Sequence, residues 1–212
     1  MNNQPIRNII FDLGGVILNI DPQLTVNEFR EMGWGDFYEE STKSLAMELF
    51  FKLEKGSSSP AAFRNAVREM VNDKIDDNTI DKAWTAMILD IPADRIRYLE
   101  ELKKDYSIFL LSNTNEIHRL KFHLDFENNF GYSFYDLFER NFYSHEMGTR
   151  KPNPDIYEKA LKLAGLKAEE TLFIDDIEEN TEAARSLGMK VLHIQPGTLL
   201  DRLPGYLRKI QD

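Results

Sequence analysis

Arg7-Asn8-Ile9-Ile10-Phe11-Asp12-Leu13-Gly14-Gly15-Val16 is a short apolar run that ends on a carboxylate and enters a loop marked by paired glycines. An uninterrupted apolar run of this kind fits a strand buried on both faces. Three further runs repeat the design. Ser107-Ile108-Phe109-Leu110-Leu111 ends at Ser112-Asn113, and Thr171-Leu172-Phe173-Ile174 ends at Asp175-Asp176. Met189-Lys190-Val191-Leu192-His193-Ile194 is the fourth, and Arg140-Asn141-Phe142-Tyr143 is a weaker fifth.

Helical patterns separate the later runs. Asn153-Pro154 reads as an N-cap followed by proline at the first helical position, with Ile156, Tyr157, Ala160, Leu161 and Ala164 on one face and Gly165 as the stop. A second helix covers about 178 to 187 and ends at Gly188, and Pro92 to Lys104 places Ile96, Leu99 and Leu102 at helical spacing. Strands alternating with helices predict an α/β fold with a parallel sheet covered on both faces. Residues 20–90 break that rhythm. Ser59-Pro60 opens a face of Phe63, Val67, Met70 and Val71, and Asp77-Asn78 opens one of Ile80, Ala83, Trp84, Met87 and Ile88. These predict a small helical cap inserted after the first strand, with Trp84 as core packing. The remaining chain, 1–19 and 91–212, is then one core domain.

The bulk composition narrows the function. The chain has 212 residues, 42% hydrophobic and 29% charged, with a formal net charge of −10. With no cysteine, disulfides and thiolate metal sites are excluded. No apolar stretch approaches the roughly 20 residues of a membrane helix. A polar N-terminus without a signal-like apolar segment gives a cytoplasmic expectation. The acidic balance argues against nucleic acid as a partner. A phosphate ester remains possible if its charge is met locally by a metal ion, a lysine and helix N-termini.

Polar residues end three of the apolar runs: Asp12, Ser112-Asn113 and Asp175-Asp176. In an open parallel sheet the C-terminal strand ends line one crevice, so residues 100 apart in sequence converge there. The set Phe11-Asp12-Leu13-Gly14-Gly15-Val16, Leu111-Ser112-Asn113-Thr114, Gly148-Thr149-Arg150-Lys151-Pro152 and Phe173-Ile174-Asp175-Asp176 resembles the haloacid dehalogenase-like hydrolases, in order and across essentially the whole chain. The resemblance implies a Rossmann-like core with a C1-type cap. Within the family it is nearest to the branch with phosphatases of alpha-glucose 1-phosphate. It also implies a magnesium-dependent phosphatase of a small phosphorylated metabolite, a sugar phosphate above all.

Residue roles follow from that resemblance. Asp12 would be the nucleophile, forming an aspartyl-phosphate. Mg²⁺ would be held by the Asp12 carboxylate, the Gly14 carbonyl and Asp176, with Asp175 and Asn180 holding waters or orienting ligands. Ser112 and the Asn113 backbone N–H would bind phosphoryl oxygens, and Lys151 would add a positive charge there. Glu54-Lys55-Gly56-Ser57, just before a helix, resembles the loop by which C1 caps reach substrate. His118, His145 and His193 carry no motif signal and read as structural or surface residues.

One position departs from the family pattern. Gly14 stands where a second aspartate usually protonates the leaving group and activates water, help typically worth about 10²–10⁴-fold. A site without it favours leaving groups that are already weak bases. Three alternatives stay open: a metal-free dehalogenase, which the Asp175-Asp176 pair argues against; a phosphosugar mutase, which Gly14 argues against; and a non-catalytic binding relative, which Gly14 alone supports.

Overall fold

The structure, a computed structural model, describes residues 5–35, 40–71 and 74–211. Five parallel strands form its sheet: β1 (Asn8–Phe11), β2 (Ser107–Ser112), β3 (Arg140–Tyr143), β4 (Thr171–Asp175) and β5 (Lys190–His193), in the order β3-β2-β1-β4-β5. All five apolar runs are therefore strands. The register pairs Phe11 with Leu110 on one side and Ile174 on the other. Asp12, Ser112 and Asp175 thus emerge together at the same end of the three central strands. The chain's crossovers reverse direction between β1 and β4, which is where an open α/β sheet leaves a crevice.

Strand residues alternate between two apolar clusters because successive side chains point to opposite faces. Ile9, Phe11, Ile108, Leu110 and Ile174 pack with α5 (Ala93–Leu102), α6 (Glu116–Phe130) and α10 (Leu199–Gln211). Ile10, Phe109, Leu111 and Phe173 pack with α8 (Pro154–Ala164) and α9 (Glu178–Ser186). Asn153 caps α8 by accepting from the Asp155 N–H, and left-handed Gly165 ends the helix, as the sequence predicts. In α10, Leu199, Leu203 and Leu207 form a buried stripe at four-residue spacing, with Pro204 inside the helix.

Between β1 and α5 lie four helices: α1 (Pro22–Glu31), α2 (Glu40–Glu54), α3 (Pro60–Val71) and α4 (Asp77–Thr85). They share a separate apolar cluster that includes Phe29, Phe63, Val67, Ile80 and Trp84. Trp84 is buried at its centre, 4.4 Å from the Phe50 ring, so it is a packing residue. The expected face of α4 is shorter than the spacing predicts. The helix begins after Asp76, whose side chain caps it, and ends at Thr85, whose hydroxyl turns back to the Asp81 carbonyl. Met87 and Ile88 leave the helix. The Asp21 N–H donates to the Met87 carbonyl at 2.9 Å, and Ile20 and Ile88 form an antiparallel bridge. The entering and leaving strands of chain are therefore tied side by side.

Candidate active site

The site is built on the strand ends. Asp12 is buried at the C-terminal end of β1, and its N–H donates to the Ile174 carbonyl at 2.8 Å. Lys151 follows α7 (Ser144–Met147) and precedes α8; its side chain is fully buried. Its ammonium donates to Asp12 Oδ1 and to Asp175 Oδ2, both at 2.6 Å. A buried ammonium survives only when such partners offset its lost hydration. Asn113 fixes the lysine from the other side. Its side chain accepts from the Lys151 N–H at 2.9 Å and donates to the Lys151 carbonyl at 3.0 Å. The Asn113 side chain is thus occupied in positioning Lys151. Ser112 is buried beside it at the end of β2.

The two adjoining aspartates differ. Asp175 is fully buried, and its oxygens accept from Lys151, from Asn180 Nδ2 and from the Ile177 N–H. It holds the lysine and the turn into α9. Asp176 is half-buried, and its carboxylate lies over Gly15. A Cβ at Gly15 would stand 2.3 Å from Asp176 Oδ2, and φ there is +76°. Only glycine satisfies both the space and the backbone. Carboxylate oxygens of Asp12, Asp175 and Asp176 all lie within 4.8 Å of one another. A cluster of oxygen donors with no His or Cys among them suits a hard cation, and Mg²⁺ is the cofactor it fits.

Electrostatics agree with that donor set. Burial pushes the Asp12 carboxyl up to about 7; Lys151 pulls it down, and Asp175 and Asp176 push it up further. Burial likewise raises Asp176, with Asp175 adding to it. Three carboxylates facing one lysine leave negative charge for a cation to neutralise.

Other sequence-derived candidates fall around this centre. Glu54, at the end of α2, pairs with Arg150 Nε at 2.8 Å; burial raises its carboxyl. The Arg150 guanidinium also covers the Phe51 ring at 4.1 Å. Lys55 is exposed. The next residue, Gly56, has φ +67°, and a Cβ there would meet the His145 carbonyl oxygen at 2.1 Å. The Glu54–Gly56 segment therefore sits directly on the core beside Lys151. Arg150 was not marked by the sequence as a site residue, although it adjoins Lys151. At Gly14 a Cβ would meet Ile20 Cδ1 at 3.0 Å, so an isoleucine fills the space beside the missing carboxylate.

His118, read from the sequence as a structural or surface residue, is a partly buried packing residue. It lies on the first turn of α6 and stacks on Trp84 at 4.5 Å. Burial pushes its ring down to about 4, and that of His123 likewise; His145 is lowered by the same cause. The unfolded chain, with histidines near 6.5, takes up protons that these folded rings refuse. Folded stability contributed here is complete above pH 6.5 and is lost as pH falls toward 4, by up to roughly 1.4 kcal/mol per pH unit for each fully excluded ring. The raised carboxyls of Asp12, Asp176 and Glu54 act in the opposite sense over the same range, so the histidine contribution is read as a difference between proteins. Denaturant unfolding at pH 7 and pH 5 should show His123→Gln losing less stability on acidification than wild type. An identical pH response in the two proteins would contradict this.

Comparison with known proteins gives the class to which this fold belongs. Residues 6–188 match the haloacid dehalogenase-like hydrolase family, and the chain belongs to that family. It is 28% identical over 193 residues to a D-ribitol-5-phosphate phosphatase of Bacteroides thetaiotaomicron, covering 91% of this chain and 93% of that protein. A haloacid dehalogenase family enzyme solved from the same organism superposes with a TM-score of 0.88 at 34% identity, covering 94% of this chain and 100% of that one. That enzyme has also been solved with magnesium and inorganic phosphate, and in that form the TM-score is 0.80 at 34% identity over 91% and 96% of the two chains. A family hydrolase from Porphyromonas gingivalis gives 0.86 at 30% identity, over 99% and 100%. Among the described residues no helix is long and apolar enough to cross a membrane.

Proposed function

We propose that this hydrolase is a magnesium-dependent phosphatase that cleaves a small phosphorylated metabolite, of the sugar or polyol phosphate class, through an aspartyl-phosphate on Asp12. The observation that carries the reading is the Lys151 ammonium shared between Asp12 and Asp175, with the Asp176 carboxylate alongside. The ribitol phosphate phosphatase among its relatives supports the substrate class.

Each residue has a definable task. Asp12 attacks phosphorus, and its oxygen displaces the alkoxide. Lys151 fixes Asp12 Oδ1, so the nucleophile is aimed before substrate arrives. Ser112 and the N–H groups at the β2 end receive phosphoryl oxygens. Asp175 and Asn113 hold Lys151, and Asn180 holds Asp175. Mg²⁺, held by Asp12, Asp176 and the Gly14 carbonyl, would neutralise charge between the anionic nucleophile and the anionic ester.

Residues 20–90 would form a cap over this centre, with 1–19 and 91–212 as the core. Their separate apolar cluster and the paired crossing at Ile20 and Ile88 support that division. Glu54 and Lys55 would then face the substrate from the cap side.

Removing divalent metal should lower turnover of an aryl phosphate at least about 10²-fold, and added Mg²⁺ should restore it. A panel of sugar and polyol phosphates, assayed by phosphate release with and without a chelator, tests both class and cofactor. Full activity in chelator would refute the metal-dependent reading.

A further inference from the structure

With Gly14 the site lacks the side chain that would prepare water for attack on the phosphoenzyme, and every nearby carboxylate is committed. Asp12 is the nucleophile. Asp175 is saturated by hydrogen bonds, Asp176 belongs to the acidic cluster, and Glu54 pairs with Arg150. A small cavity of about 70 Å³ has Gly14, Ser112, Thr114, Ile20, Ile88 and His118 in its lining. That is room for one or two waters. His118 is the titratable side chain on its wall.

We propose that His118 is the general base of the dephosphorylation step, taking the place of the carboxylate absent at Gly14. The inference rests on the phosphatase reading above. Hydrogen bonding fixes the tautomer. The ring nitrogen Nε2 lies 2.9 Å from the Trp84 carbonyl oxygen, which can only accept, so Nε2 carries the proton and donates. Nδ1 is then an unprotonated acceptor, and among the described residues no group donates to it. The ring is held by stacking on Trp84 at 4.5 Å and 23°, and its own backbone N–H is capped by Asn115. Burial keeps the imidazole neutral at neutral pH. The same burial lowers the ring's basicity, to about 4.

The step balances. Water gives a proton to Nδ1 while its oxygen forms a bond to phosphorus. The bond from phosphorus to Asp12 breaks, and the electron pair returns to the carboxylate. Inorganic phosphate leaves, and the imidazolium releases its proton to solvent. Formation of the phosphoenzyme needs no base, so His118 acts on the second step alone.

Kinetics separate the two steps. His118→Gln keeps an N–H donor toward the Trp84 carbonyl and removes the base. With an aryl phosphate as substrate, kcat should fall about 10²-fold or more. KM should fall in parallel, leaving kcat/KM near the wild-type value, because kcat/KM ends at the first irreversible step. Rapid mixing should show a burst of phenol equal to the enzyme concentration, with phosphate release lagging. Acid quenching should trap the phosphoprotein. An unchanged kcat would overturn the proposal. So would an equal loss of kcat and kcat/KM without a burst, which would mean general damage or a first-step role. Thermal unfolding of the variant, matched to wild type, separates those two outcomes. If the wild type hydrolyses no phosphate ester, the phosphatase reading itself has failed, a result distinct from either.

Discussion

Asp12→Asn should bring phosphatase turnover below about 1% of wild type, because an amide oxygen cannot form the acyl phosphate and losing a covalent nucleophile removes the whole pathway. The fold should survive, and apo stability should stay level or rise. The reason is local charge. Burial and two neighbouring aspartates push the Asp12 carboxyl up to about 7, so the folded protein is strained by ionising it. Lys151 keeps its second partner, Asp175, at 2.6 Å after the change. Initial rates with an aryl phosphate and thermal midpoints in chelator are the two measurements. Activity above that level would exclude Asp12 as the nucleophile. A collapse in midpoint would show that Asp12 is chiefly a structural partner of the lysine.

Lys151→Met should be more damaging, because it acts on both function and fold. It leaves Asp12 and Asp175 buried together with no cation between them. Breaking a buried pair by removing one partner costs about 3–5 kcal/mol. Asp175 retains its hydrogen bonds from Asn180 and Ile177, which moderates the loss. On the proposed mechanism, catalysis loses the donor that holds the Asp12 carboxylate, a change of about 10²–10³-fold or more in kcat. The variant's stability should also respond more steeply to Mg²⁺ than wild type does, since the added cation becomes the sole neutralising charge. Denaturant midpoints across a Mg²⁺ titration measure that response. Wild-type activity, or an unaltered Mg²⁺ response, would show that Lys151 does not serve the nucleophile.

Much of the fold was legible because a doubly covered parallel sheet writes itself plainly in sequence. Ile9-Ile10-Phe11, Ile108 to Leu111 and Leu172 to Ile174 must be apolar on both faces, so each strand reads as an unbroken run. The α8 boundaries were legible because Asn153, Pro154 and Gly165 each act within a few residues of themselves. The end of α4 was not. Ile88 fits helical spacing, but its pairing with Ile20 lies 68 residues away and overrides that local pattern.

The candidate site divides in the same way. Sequence alone determined which residues end the strands, hence the convergence of Asp12, Ser112 and Asp175, because strand ends in one parallel sheet share an edge. It also determined the absence of a carboxylate at position 14. Only the tertiary structure decided what each group does there. Hydrogen-bond partners that differ by a single residue step separate Asp175, saturated and buried, from Asp176, turned over Gly15. Asn113 clamps Lys151 through its side chain, a contact across 38 residues. Glu54 meets Arg150 across 96, and His118 reaches the Gly14 cavity only because α6 packs on Trp84. Such pairings depend on distances between elements that the local pattern of the chain does not encode. The physical cause is that periodicity records which face of an element is buried, whereas hydrogen bonds and ion pairs record what that face is buried against.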